Sequence, residues 1–206
     1  MHPEVLDSNQ KRIFKKLKFF PEFYLAGGTA LALQISHRKS QDFDFFPVKK
    51  EVPENTFQKV KQIFFGFNLE PIRNHSEQMD FLIEGVKVTF VRYPFPPFRL
   101  INYQGINILP IKEIAASKAY TIGQRATFKD YFDLYWLIKY RYVTINEIIE
   151  IAQKKYKNEF NDRLFLEQLI YLEDVEEVKI VALKKDNPSK SKIQKFFEKK
   201  VREIKI

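Results

Sequence analysis

The hydrophobic pattern of the chain changes near Pro110, and that change limits the folds open to it. Before Pro110, short β-like runs alternate with turns; after it, apolar residues recur at three- and four-residue steps. Strands with a few helices, then helices alone, predict an α+β protein with a small mixed sheet and flanking helices to about Leu109, followed by a helical half. The expected organisation is a core over 1–110 and a helical subdomain with a basic tail helix over 111–206. With 206 residues, 45% of them apolar and 16% aromatic, the chain can bury a core, which excludes a disordered chain. No run approaches the roughly 20 apolar residues of a bilayer-spanning helix, so no membrane partner is expected. The absence of cysteine removes disulfide scaffolds, thiolate metal sites and Cys nucleophiles together, and with three His the metal chemistry left is oxygen ligation.

The first half reads as a helix over about Ser8–Phe19 with Ser8 as N-cap, a buried strand Phe23–Ala26, a Gly27-Gly28 turn, and a short helix Thr29–Ile35. A strand Asp42–Phe46, a helix from about Pro53 to Phe64 and a meander of Phe67–Ile72, Gln78–Ile83 and Val86–Val91 follow, with Glu84-Gly85 as a hairpin turn. Three prolines make Tyr93–Phe98 a rigid loop. Helices are expected at about Lys112–Ile122, Phe128–Tyr140, Ile145–Tyr156, Asp162–Tyr171 and Lys192–Ile204, with Thr127 and Thr144 as N-caps. In the tail, Ile193, Phe196, Phe197, Val201 and Ile204 form an apolar seam that turns Lys192, Lys195, Lys199 and Arg202 outward.

Charge is segregated along the chain. The net charge is +9; Lys184–Lys205 holds nine Lys/Arg against three acids, whereas Glu159–Glu177 holds seven acids against Arg163. A basic tail can grip a polyanion such as RNA, or be a solvated helix face. The first ten residues lack a charged segment followed by an apolar one, which predicts a cytoplasmic protein.

Chemistry concentrates between Tyr24 and Phe46. Asp42 and Asp44 stand two apart in a β-like run, so both carboxylates leave one face, about 6.5–7 Å apart at Cα. Such a pair suits Mg²⁺, or Mn²⁺, which completes its shell with water and substrate phosphates. Upstream, Gly27-Gly28-Thr29 joins a strand to a helix, where glycine lets backbone approach a phosphate and the helix N-terminus offers N–H donors. Each piece is weak alone; their conjunction is specific.

The arrangement Gly27-Gly-Thr-Ala-Leu-Ala-Leu33, then His37-Arg38, Ser40 and Asp42-Phe-Asp44-Phe-Phe46, resembles the polymerase β-type nucleotidyltransferases, specifically the AbiEii/AbiGii toxin family of type IV toxin–antitoxin systems. Lys118, Arg125 and Lys129-Asp130-Tyr-Phe-Asp133-Leu match its downstream pattern, so the resemblance covers roughly Tyr24 to Leu137. It implies a polymerase β-like sheet and metal-dependent transfer of a nucleoside monophosphate from an NTP to an acceptor hydroxyl, with tRNA as acceptor and a separate antitoxin protein as partner. On that pattern Gly27, Gly28 and Thr29 would hold the triphosphate, Arg38 and Ser40 would contact phosphate or order the loop, and Asp42 and Asp44 would bind metal. Lys118 would neutralise phosphate charge, and Asp130 would be the later family carboxylate. The helix-start reading of Thr127 makes Asp130 a possible cap, and Asp133 reads as structural, pairing with Arg125 or Lys129.

Two departures stand out. A third carboxylate is expected on a later strand, where Val86–Val91 offers Thr89, which is no base; Asp80, Glu84 or Asp130 could substitute. The usual Gly before His-Arg is Ser36. The competing readings are therefore a module that binds NTP or RNA on a degenerate site, and a protein that acts only through assembly.

Overall fold

Alternation organises the first unit. In β2 (Phe43–Pro47), Phe43 and Phe45 are buried while Asp44 and Phe46 are half-buried, the signature of a strand with one face on a core. The computed structural model describes residues 1–125 and 127–204, so Lys205, counted above in the basic tail, lies outside the described residues. The chain divides into two units, Met1–Pro110 and Ile111–Ile206.

The first unit is a seven-stranded mixed sheet in the order β3-β4-β5-β2-β1-β7-β6. Its other strands are β1 (Phe23–Ala26), β3 (Leu69–Asn74), β4 (Gln78–Ile83), β5 (Val86–Val91), β6 (Ile101–Tyr103) and β7 (Ile106–Ile108). β2/β5 and β1/β7 are parallel; the remaining neighbours are antiparallel. The expected meander is present as β3-β4-β5, and Glu84-Gly85 turns the hairpin with φ of +49° and +79°. The β6-β7 hairpin went unread, although Gln104-Gly105 between alternating Ile101, Tyr103, Ile106 and Ile108 carries the same signal.

One face of the sheet is built of phenylalanine. Phe90 on β5 meets Phe23 edge-on, Phe20 tilted and Phe45 stacked, at 4.9, 5.1 and 5.6 Å between ring centres. Helices α1 (Ser8–Leu17) and α3 (Thr56–Ile63) bring Phe14 and Phe57 onto Phe43 and Phe81. Each buried Phe contributes about 1.5–3 kcal/mol. The N-cap of α1 is Asp7, not Ser8: Asp7 accepts from the Gln10 backbone N–H and Gln10 accepts from that of Asp7, a reciprocal box that Ser8 cannot form. α2 (Gly27–Ile35) begins directly where β1 ends and is apolar on nearly every side, as a buried helix must be. It ends at Ser36, whose φ of +52° keeps the left-handed conformation that glycine takes more readily.

The second unit is helical: α4 (Ile111–Ile122), α5 (Phe128–Lys139), α6 (Ile145–Tyr156), α7 (Asp162–Ile170) and α8 (Lys190–Arg202). Thr144 caps α6 in a reciprocal box with Glu147, whereas Thr127 makes no capping hydrogen bond from its side chain. Phe132, Tyr135 and Trp136 are buried, as their helical spacing requires. A buried Lys155–Glu113 pair at 2.8 Å ties α6 to α4; burial pushes the Lys155 ammonium below its usual range, and Glu113 opposes that. No helix among the described residues is long and apolar enough to cross a membrane.

Candidate active site

The junction of β1 and α2 is shaped by two side chains lying on two glycines. A Cβ on Gly27 would stand 2.5 Å from Asp44 Oδ2, and a Cβ on Gly28 would stand 2.6 Å from Arg38 Nη2 and 2.9 Å from Ser40 Oγ. Gly27 also has φ of +68°. Glycine suits the backbone angle at Gly27, and at both positions a side chain would push aside the ends of Asp44 or of Arg38 and Ser40. Five of the candidate residues, Gly27, Gly28, Arg38, Ser40 and Asp44, therefore meet at the start of α2. The N-cap, Ala26, has no side chain able to cap, so the first backbone N–H groups of α2 have no side-chain cap.

Thr29 is buried, and its hydroxyl donates to the backbone carbonyl of Asp42. It fixes the entry into β2 from beneath. Asp42 precedes the first ladder residue and is exposed; Phe43 between the two acids is buried, and Asp44 is half-buried. The loop between α2 and β2 is further held by Gln10, whose amide donates to the carbonyls of Ser40 and Gln41 at 2.8 and 3.0 Å. Sequence reasoning missed Gln10, although the Asp7-x-x-Gln10 capping box would have pointed to it. Arg38 is buried and donates to the Lys39 carbonyl at 3.1 Å.

Strand register adds a row. Asp44 is the Cα partner of Thr89, Thr89 of Asp80, and Asp80 of Arg73, across β2, β5, β4 and β3. Directly opposed residues share a sheet face, so these four belong to the face away from the phenylalanine core.

In the helical unit, Lys118 on α4 is buried between two carboxylates of α5, Asp130 at 2.8 Å and Asp133 at 2.7 Å. The Thr127 hydroxyl donates to the other oxygen of Asp130 at 2.7 Å. Asp130 thus spends its carboxylate on Lys118 and Thr127, not on a reciprocal cap, and the partner of the wholly buried Asp133 is Lys118 where Arg125 or Lys129 was expected. The spacing of Lys118 to α5 gave no sign of this pairing. A hollow of about 700 Å³ lies between the turn after α5 and the end of α8, lined by Arg141, Thr144, Phe196 and Lys200 among others. None of the candidate residues lines it, so volume alone does not mark the site.

Among the described residues no three His, Asp or Glu gather around one point fit for a metal. Asp42 and Asp44 are oxygen donors of the kind a hard cation takes, and two carboxylates would leave most of its shell to water and phosphate.

A family model described as the nucleotidyl transferase AbiEii toxin of a type IV toxin–antitoxin system matches residues 11–203. An uncharacterized protein of Aquifex aeolicus (strain VF5) is 34% identical over 185 residues, which span 88% of this chain and 87% of that protein. Among solved structures, MenT4, a nucleotidyltransferase toxin of Mycobacterium tuberculosis H37Rv, aligns with a TM-score of 0.62 at 16% identity, covering 94% of this chain and 83% of its own. JHP933 from Helicobacter pylori aligns with a TM-score of 0.55 at 16% identity over 80% of this chain and 88% of its own. At that identity the shared property is the fold.

Proposed function

We propose, from the premise that the chain belongs to the AbiEii nucleotidyl transferase toxin family of type IV toxin–antitoxin systems, that it transfers a nucleoside monophosphate from an NTP to a hydroxyl of RNA, with tRNA as the acceptor. A toxin of such a system implies an antitoxin partner, and the family's chemistry uses an NTP with a divalent metal. The acceptor oxygen forms a bond to the α-phosphorus, the bond from that phosphorus to the bridging oxygen breaks, pyrophosphate leaves, and the hydroxyl proton passes to a base or to solvent.

The observation that carries this reading is the meeting of Asp44, Arg38 and Ser40 over Gly27 and Gly28 at the start of α2. The glycines admit a phosphate close to backbone N–H groups, Arg38 and Ser40 offer donors, and Asp44 stands beside them with the charge a phosphate-bound cation needs. Asp42 and Asp44 would hold Mg²⁺ or Mn²⁺, which when bound stabilises charge on the attacking and leaving oxygens. Thr29 serves by fixing Asp42. On the family pattern Lys118 would neutralise phosphate charge and Asp130 would be the later carboxylate.

A second reading is favoured by one position. Thr89, the partner of Asp44 on the next strand, cannot accept the proton of the attacking hydroxyl, so the fold would bind NTP without turnover. Incorporation of each radiolabelled NTP into total tRNA with Mg²⁺, in wild type and in Asp42→Ala/Asp44→Ala, separates the two. Label in the wild type alone is expected. Folded wild type that binds NTP, releases no pyrophosphate and labels no RNA would overturn the transferase reading.

A further inference from the structure

We propose that the polar row from Asp44 over Thr89 and Asp80 to Arg73, with Lys87 beside it, is the track on which the single-stranded 3′ end of the RNA acceptor lies. The inference rests on the transferase reading and adds where the acceptor binds. Three strand spacings separate Asp44 from Arg73, about 14 Å, enough for a few nucleotides of one strand. The row begins at the carboxylate assigned to the metal, where an acceptor hydroxyl has to arrive, and runs to the β3 edge of the sheet.

Its far end is a built pair of cations. Asp80 is 3% exposed and accepts from Gln78 Nε2 with both oxygens at 3.1 Å. Arg73 Nε and Lys87 Nζ each lie 3.8 Å from Asp80 Oδ2, and Arg73 also donates to Gln78 Oε1 at 2.9 Å. One carboxylate thus gathers two cations whose side chains remain 52% and 44% exposed, leaving one net positive charge and N–H donors turned to solvent. Because Asp80 and Gln78 already restrain them, ordering them on phosphate costs less entropy than ordering free lysines. Thr89, only 6% exposed, lies between the cations and Asp44 and keeps the row polar.

Charge favours RNA over an acidic protein only together with position, so the test has to separate them. The outward row of α8 (Lys192, Lys195, Lys199 and Arg202), opposite buried Ile193 and Phe197, serves as the comparison. Fluorescently labelled tRNA, and the same tRNA trimmed of its single-stranded 3′ end, are titrated with wild type, Arg73→Gln/Lys87→Gln and Lys195→Gln/Lys199→Gln/Arg202→Gln across a range of salt. The Arg73/Lys87 variant is expected to bind intact tRNA at least tenfold more weakly, to lose about 1.4 units of salt slope for two single-strand phosphate contacts, and to bind trimmed tRNA like wild type. Its KM for NTP should be unchanged, and Arg73→Lys/Lys87→Arg should restore binding, which a merely structural role of the Asp80 cluster would not require. Equal losses on intact and trimmed tRNA, a loss confined to the α8 variant, or competition by poly-glutamate as effective as by tRNA would each overturn the track. Wild type that binds the 3′ end as stated but transfers nothing would sink the transferase reading and leave the track standing.

Discussion

Asp42 and Asp44 flank a buried Phe at the mouth of β2 and remain exposed and half-buried, whereas Asp130 and Asp133, one turn apart on α5, both close on the ammonium of Lys118. Asp42 has no ion-pair partner among the described residues, while Asp133 is wholly buried against its lysine. A carboxylate clasped by an internal cation has its charge satisfied and stabilises the helices; Asp42, exposed ahead of the first ladder residue, keeps its charge for a cation that arrives with substrate. Clasped carboxylates occur in both units: Asp80 with Arg73 and Lys87 in the first, and Glu113 with Lys155 and Asp186 with Lys139, Lys192 and Tyr135 in the second.

The contrast can be broken most directly at Asp44. Asp44→Ala should lower the rate of nucleotide transfer by about 10³-fold or more, roughly 4 kcal/mol of transition-state stabilisation, while urea denaturation moves by less than about 1 kcal/mol. Unfolding of that variant would put Asp44 in the structural class. For Asp133→Ala the order reverses: a loss of about 3 kcal/mol in urea is expected, since the Lys118 ammonium keeps only one carboxylate. A stable Asp133→Ala protein with no transfer activity would move Asp133 to the chemistry.

Gly28→Ala sharpens the comparison inside the first unit. The added methyl displaces the ends of Arg38 and Ser40, so steady-state kinetics should give an NTP KM raised about tenfold with stability within about 1 kcal/mol. Acid titration probes the second unit. Burial alone would raise the Asp186 carboxyl, but hydrogen bonds from Lys139, Lys192 and Tyr135 hold it down at about 2. A depressed carboxylate stabilises the folded state above its unfolded pKa of about 4 and loses that contribution as pH falls towards 2. Circular dichroism should show that loss in the wild type and a flatter curve for Asp186→Asn. The smallest effect is expected at Ser36→Gly, which relieves a left-handed backbone and should raise stability by about 1 kcal/mol in thermal melts.

The local signals were readable where one residue type has one physical reason. Alternation marked β4 and β5 to the residue, Gly85 marked their turn, and Thr144 as N-cap marked the start of α6. The family resemblance identified the same toxin family as the match over 11–203. Failures lay where two local choices compete or where distant segments decide. Ser8 and Asp7 both suit a cap, and only Gln10 selects Asp7. The short β6 and β7 fall below the length at which alternation stands out, so the Gln104-Gly105 turn passed unnoticed. Lys118 on α4 meets Asp133 only through the packing of two helices, which no spacing along the chain encodes. The Asp44-Thr89-Asp80-Arg73 row depends on β5 crossing back beside β2, a choice of topology.

That crossing also sets a schedule. β2 and β5 are parallel neighbours with α3, β3 and β4 between them in the chain, and β1 receives its parallel partner β7 later still. Pairings of high contact order close slowly, because the intervening loop has to be ordered before the ladder forms. During synthesis, Asp44 therefore emerges long before Thr89 and Asp80 can join it, and β1 stays without one neighbour until Ile108 has been made. The row that starts at Asp44 is thus complete only once β5 has been made, and the sheet only once β7 has joined β1.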